Sequence, residues 1–226
     1  MQFHASYAYE DFVQGYRPDG KGGFERKDGI FLRFCKRAEA DLENKYVFII
    51  DEINRANLSK VFGELLMLIE CDKRDESFAV DLAYSTGDDK HFYVPDNVHI
   101  IGLMNTADRS LALVDYALRR RFEFFDLKPA FDKPQFSAHL LSAGVPEPLI
   151  AHIKQCMIEL NSAIAADRDL GPGFLIGHSF FCSLPPEETA EDAYNQVVQY
   201  QIMPLLREYW YDGSKAEEWR IKLLKS

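Results

Sequence analysis

Two adjacent carboxylates close an uninterrupted apolar run, Tyr46-Val47-Phe48-Ile49-Ile50-Asp51-Glu52. Such a run is a strand buried on both faces, and carboxylates at its carboxyl end stand at the sheet edge where open α/β folds bind ligands. In a nucleotide hydrolase the first carboxylate, Asp51, holds Mg2+ directly or through water. The second, Glu52, orients and deprotonates the attacking water. The same pair could instead begin a loop or cap the next helix, and the heptapeptide alone leaves both readings open. A second apolar run, residues 98–104, ends in Asn105, followed by Thr106, Ala107, Asp108 and Arg109. A neutral amide at the tip of a neighbouring strand can hydrogen-bond a γ-phosphate or the attacking water without adding charge. Further on, Arg119, Arg120 and Arg121 stand at a helix end in an otherwise acidic chain. The guanidinium fork donates two parallel hydrogen bonds to phosphate. Complementing a helix C-terminus explains one such arginine comfortably and three poorly.

The elements that must position these groups fall into two parts. Up to about residue 134, short β-rich runs alternate with helical patterns; beyond it the pattern is mostly helical, so the chain divides into an α/β part, 1–133, and a helical part, 134–226. Residues 1–30 are aromatic and Gly-rich, the pattern of a short strand, a surface loop and a small hairpin. Helices are expected over 30–42, with Asp28 as its cap, and over 57–70. A β-hairpin over 78–94, strands over 98–104 and 122–127, and a short helix over 111–119 complete the first part. In the second part the expected helices are 134–142, 146–165, 190–209 and 215–224, with a Gly171-Pro172-Gly173 turn between the middle two.

The 226 residues are 47% hydrophobic and 27% charged, a composition that excludes a disordered or collagen-like chain. A net charge of −10 disfavours general nucleic-acid binding by the overall field. No apolar run approaches the roughly 18 residues a membrane span requires, and the first residues do not pattern as a secretory signal. The four cysteines form no CxxC pair and the six histidines no HExxH, so free thiols in a reducing cytoplasm are expected rather than a zinc site.

Taken in order, Ile50-Asp51-Glu52-Ile53-Asn54-Arg55-Ala56-Asn57, Met104-Asn105-Thr106-Ala107-Asp108-Arg109-Ser110 and Leu118-Arg119-Arg120-Arg121-Phe122 resemble the McrB-type AAA+ GTPases of modification-dependent restriction systems. The resemblance covers nearly the whole chain. It implies an α/β AAA+ core with a helical lid, a homo-oligomeric ring, and GTP (or ATP) hydrolysis with Mg2+. It further implies a McrC-like nuclease partner and action on methylated DNA through the full complex. By position, Asp51 would be the Walker B magnesium residue, Glu52 the catalytic glutamate and Asn105 the sensor on the adjacent strand. Asp108 and Arg109 would belong to the loop linked to hydrolysis and to the partner, and Arg119 and Arg120 would be fingers for a neighbouring subunit, with Arg121 the weaker candidate. The hairpin over 78–94 would lie near a ring pore.

Two departures qualify this. The phosphate loop GxxxxGK[ST] occurs nowhere in the 226 residues, and Gly20-Lys21-Gly22 does not replace it. On this reading the chain is the C-terminal part of a longer protein, inactive alone, with a gap in its sheet where the phosphate-loop strand belongs. In the lid, Leu175 stands where the resemblance implies a basic residue, and His178 nearby is expected to be structural. Two other functions fit the motifs: a MoxR-like ATPase that remodels proteins, and a non-catalytic module that joins a ring through Arg119 and Arg120.

Overall fold

The computed structural model describes residues 1–87, 89–105, 107, 119–185, 189–211 and 213–224, and its chain divides into two compact units, Met1–Phe124 and Phe125–Ser226. The first unit opens with a helical turn, α1 (Tyr9–Phe12), and an antiparallel hairpin of β1 (Gln14–Pro18) and β2 (Phe24–Asp28), with Gln14 opposite Asp28 and Pro18 opposite Phe24. Asp19 closes the hairpin loop by accepting from the backbone N–H groups of Lys21 (2.7 Å) and Gly23 (2.9 Å).

Helix α2 (Ile30–Glu39) follows. Gly29, not Asp28, occupies its N-cap; the Asp28 carboxylate accepts from Lys36 Nζ at 2.6 Å instead, one turn and more into the helix. Strand β3 (Tyr46–Ile50) runs parallel to β4 (Val98–Gly102), pairing Tyr46 with Val98 and Ile50 with Gly102. Residues 1–3 lie along the far end of β3, where Asp51 donates its N–H to the Met1 carbonyl and Phe3 donates to that of Asp51.

The helix expected over 57–70 is broken in two, α3 (Leu58–Phe62) and α4 (Leu65–Leu68). Gly63 interrupts it at φ 53°, a conformation glycine adopts freely, and a side chain there would meet the Tyr9 ring at 3.0 Å. The expected hairpin over 78–94 is reduced to a single bridge, Val80 with Phe92. Residues 122–127 form no strand: Phe125 and Leu127 are exposed, and the β3–β4 ladder has no third member there. The expected helix over 111–119 lies mostly outside the described residues.

The core of this unit is aromatic. Phe12 stacks on Phe31 with ring centroids 4.8 Å apart, and Phe62 and Phe48 close around them. Only one face of β3 reaches that core. Phe48 and Ile50 are buried, whereas Val47 and Ile49 are half exposed, as is Ile101 on β4. The double burial expected of β3 therefore does not occur: in these residues the ladder is covered on one side alone. The part-buried Arg74 guanidinium ties the sheet to α4, donating to the carbonyls of Ile69 and of Val98.

The second unit is helical: α5 (Pro134–Ser142), α6 (Glu147–Ala166), α7 (Ala190–Val197), α8 (Met203–Tyr209) and α9 (Ser214–Leu223). A π turn, Val198–Ile202, joins α7 to α8, with the Met203 N–H reaching back five residues to the Val198 carbonyl. Pro204 follows at once; a wider turn accommodates a ring that offers no N–H to the ladder. Buried Asn161 bonds both ways to Ile176, giving Nδ2–H to its carbonyl (3.0 Å) and accepting its N–H at Oδ1 (2.8 Å). Buried Tyr194 donates its hydroxyl to the Leu223 carbonyl at 2.6 Å, pinning α9.

Candidate functional site

The parallel register of β3 and β4 brings their carboxyl ends to one rim. Asp51 and Glu52 leave β3 there, and Asn105 stands three residues beyond β4. The Leu103 N–H donates to the Ile50 carbonyl at 2.8 Å, and the Ile53 N–H donates to the Leu103 carbonyl at 2.9 Å. Asn54 then gives an Nδ2–H to the Asn105 carbonyl at 3.3 Å. The ladder thus continues past both strands as a set of cross-links between the two tips.

Asp51 is exposed, and its Oδ1 accepts the N–H of Glu52 at 3.0 Å. Glu52 is the one described residue other than glycine with positive φ (52°, with ψ 42°). A left-handed non-glycine residue costs about 1 kcal/mol or more and persists where its surroundings over-determine it. Its carboxylate Oε2 lies 3.1 Å from Arg55 Nε, and the side chain is 20% exposed. The Asn105 side chain accepts the Ala107 N–H at Oδ1 (3.1 Å), leaving its amide protons unengaged by that bond.

Arg119 and Arg120 are exposed. Arg121 differs: its side chain is 9% exposed and pairs with Glu70 at 2.8 Å. Glu70 is held below the usual carboxylate range chiefly by the Lys73 ammonium that bonds it, and then by Arg121 and Arg120. Of the three consecutive arginines, one is therefore structural and two face solvent. Asp108 and Arg109 lie outside the described residues.

Among the described residues no cluster of three or more His, Cys, Asp or Glu side chains could cage a metal ion. A lone exposed carboxylate at a strand tip suits Mg2+, which is bound by one or two carboxylates together with substrate phosphates and waters. In the second unit, His178 Nδ1 accepts the Ala130 N–H at 3.1 Å and the ring sits edge-on to Phe131 and Phe136. That is a structural histidine. Leu175 packs against the helical core.

Residues 1–122 match the family model described as AAA domain (dynein-related subfamily), and residues 152–217 match that of the McrB alpha-helical lid domain. The chain belongs to the McrB-type AAA+ family. It is 56% identical, over 228 aligned residues and 99% of its length, to the Type IV methyl-directed restriction enzyme EcoKMcrB subunit of Escherichia coli (strain K12). It is 37% identical over 216 residues, 77% of its length, to the Type II restriction enzyme BsuMI component YdiS of Bacillus subtilis (strain 168). The chain spans 50% of the first relative's length and 62% of the second's. As a McrB-type AAA+ chain it joins an α/β core to a helical lid. No described helix is long and apolar enough to cross a membrane.

Sequence reasoning quoted Asn54 and Arg55 within a motif but gave them no role at this rim, and it passed over Gly102. The glycine was detectable in principle, since a lone Gly inside the β-branched run Val98-His99-Ile100-Ile101-Gly102 signals a close backbone approach.

Proposed function

We propose that these residues form the hydrolytic and inter-subunit half of a McrB-like AAA+ motor. In this reading the motor hydrolyses GTP, with ATP as the competing substrate, to drive DNA translocation and cleavage with a McrC-like nuclease partner in restriction of methylated DNA. The observation that carries it is the convergence of Glu52 and Asn105 at one rim, cross-linked through Asn54 and Ile53. Asp51 would hold Mg2+, which supplies charge neutralisation on the phosphates. Glu52 takes a proton from the attacking water, and the Asn105 amide hydrogen-bonds that water or the γ-phosphate. Arg119 and Arg120, turned to solvent, reach the nucleotide of an adjoining protomer in a ring. The reading requires a phosphate cradle from outside these 226 residues, which contain no GxxxxGK[ST].

The test uses the full-length protein with its partner. Glu52→Gln should lower GTP turnover at least about 100-fold while nucleotide binding persists. Arg119→Ala and Arg120→Ala should each slow the assembled ring, and in trans-complementation they should be rescued by a protomer whose own site is dead. Wild-type turnover in Glu52→Gln would remove the hydrolytic reading. If ring formation with the partner persisted in that case, a non-catalytic module would be the better description.

A further inference from the structure

The turn that carries Glu52 is fastened to the exit of β4 at three levels. The Ile53 backbone bonds the Leu103 carbonyl at 2.9 Å, and Asn54 Nδ2 bonds the Asn105 carbonyl at 3.3 Å. Between them the Ile53 side chain lies directly on Gly102. A Cβ at position 102 would stand 2.7 Å from Ile53 Cδ1, 3.1 Å from its Cγ2 and 3.4 Å from its Cβ. Gly102 does not have positive φ, so its backbone conformation is open to any residue. What the position demands is room. Because Ile53 is β-branched, with a stiff χ1, it cannot swing Cγ2 and Cδ1 aside together. A methyl at 102 therefore presses on the turn through Ile53, whose Cγ2 is held by χ1 even when Cδ1 turns away.

We infer that Gly102 and Asn54 are positioning residues: the vacant Cβ position at 102 and the carboxamide at 54 set where Glu52 stands relative to Asn105. The inference rests on the roles given to those two residues above. Glu52 holds its left-handed conformation with no side-chain cap bond to support it. The restraint comes from the next two residues, which are clamped to the neighbouring strand. Loosening either clamp lets Glu52 relax towards ordinary backbone conformations and carries its carboxylate away from the water it must meet. Displacements of about 1 Å at a reacting group cost up to about 100-fold in rate.

The experiment measures nucleotide hydrolysis by the full-length protein with its partner. Gly102→Ala should lower kcat at least about tenfold with KM within about twofold, because groups that hold the phosphates are untouched. Adding Ile53→Val, which removes the Cδ1 that the new methyl meets first, should restore most of the lost kcat. Asn54→Ala should lower kcat about tenfold, again at constant KM, and it keeps the test alive if Gly102→Ala does not fold. Wild-type kcat in both single variants, a KM rising in step with the loss, or no recovery in the double variant would overturn the inference. Glu52→Gln in the same series separates the two claims. If it still turns over, the hydrolytic reading fails; if it is dead while Gly102→Ala and Asn54→Ala behave as wild type, the positioning claim alone fails.

Discussion

In residues 125–226 every long helix turns its apolar stripe onto the others, and Ile153, Leu160, Tyr194, Val198 and Leu206 are all fully removed from solvent. In residues 1–124 the β3–β4 ladder has one side packed against Phe12, Phe31 and Phe62, while Val47, Ile49 and Ile101 stand half in water on the other. The helical unit draws its partners from nearby sequence, so its core is complete within about a hundred residues. A parallel ladder needs cover on two faces and neighbours on two edges, supplied by elements remote along the chain. The unit that holds the proposed site is the one whose ladder is covered on one side alone by the described residues.

That contrast can be broken by substitutions on either side of it, read separately over residues 1–124 and 125–226 by hydrogen exchange. The largest effect is expected at the aromatic centre of the first unit: Phe12→Ala should cost about 3–5 kcal/mol there. Leu160→Ala should cost about 2–4 kcal/mol in the second unit. Tyr194→Phe removes the 2.6 Å bond to the buried Leu223 carbonyl and should cost about 1–2 kcal/mol, seen first as faster exchange in α9.

A pH effect is also expected in the helical unit. The Lys215 ammonium, the Trp210 indole N–H and the Asp169 backbone hold Asp167 charged, far below the usual carboxylate range. A folded-state value below the unfolded one means stability that is present above about pH 4 and lost as pH falls below it. Acid titration of the ellipticity should therefore show a loss below about pH 4 that Asp167→Asn flattens. The smallest effect is expected on the bare face, where Val47→Thr or Ile49→Thr should change stability by no more than about 0.5 kcal/mol. A cost like that of Phe12→Ala would mean that this face is covered in solution and would end the contrast.

Legibility followed the same division. The helices expected over 134–142, 146–165 and 215–224 agree with α5, α6 and α9 to within a residue, because a 3.6-residue stripe punctuated by Pro and Gly is local information. In the first unit the two ladder strands were legible as apolar runs, and so was the rim they share, since carboxylates and an amide each ended one. What failed depended on distant partners. Residues 122–127 have strand-forming side chains but no described strand to pair with, and the helix over 57–70 breaks where Gly63 accommodates Tyr9, fifty-four residues away in sequence. The left-handed Glu52 and the Asn54–Asn105 bond are likewise products of the β3–β4 register, which neither segment specifies alone. The resemblance made Arg121 the weaker finger, but three arginines in a row carry no physical mark of which is buried; Glu70 decides it by taking Arg121.

The backbone at position 52 favours a residue with no side chain at all. A laboratory selection that rewarded only survival of heating would drift towards Glu52→Gly, gaining tolerance at the spot where the proposed chemistry needs a carboxylate. Any programme to harden this protein for use should therefore exclude that codon from its library and score each round on work done as well as on endurance.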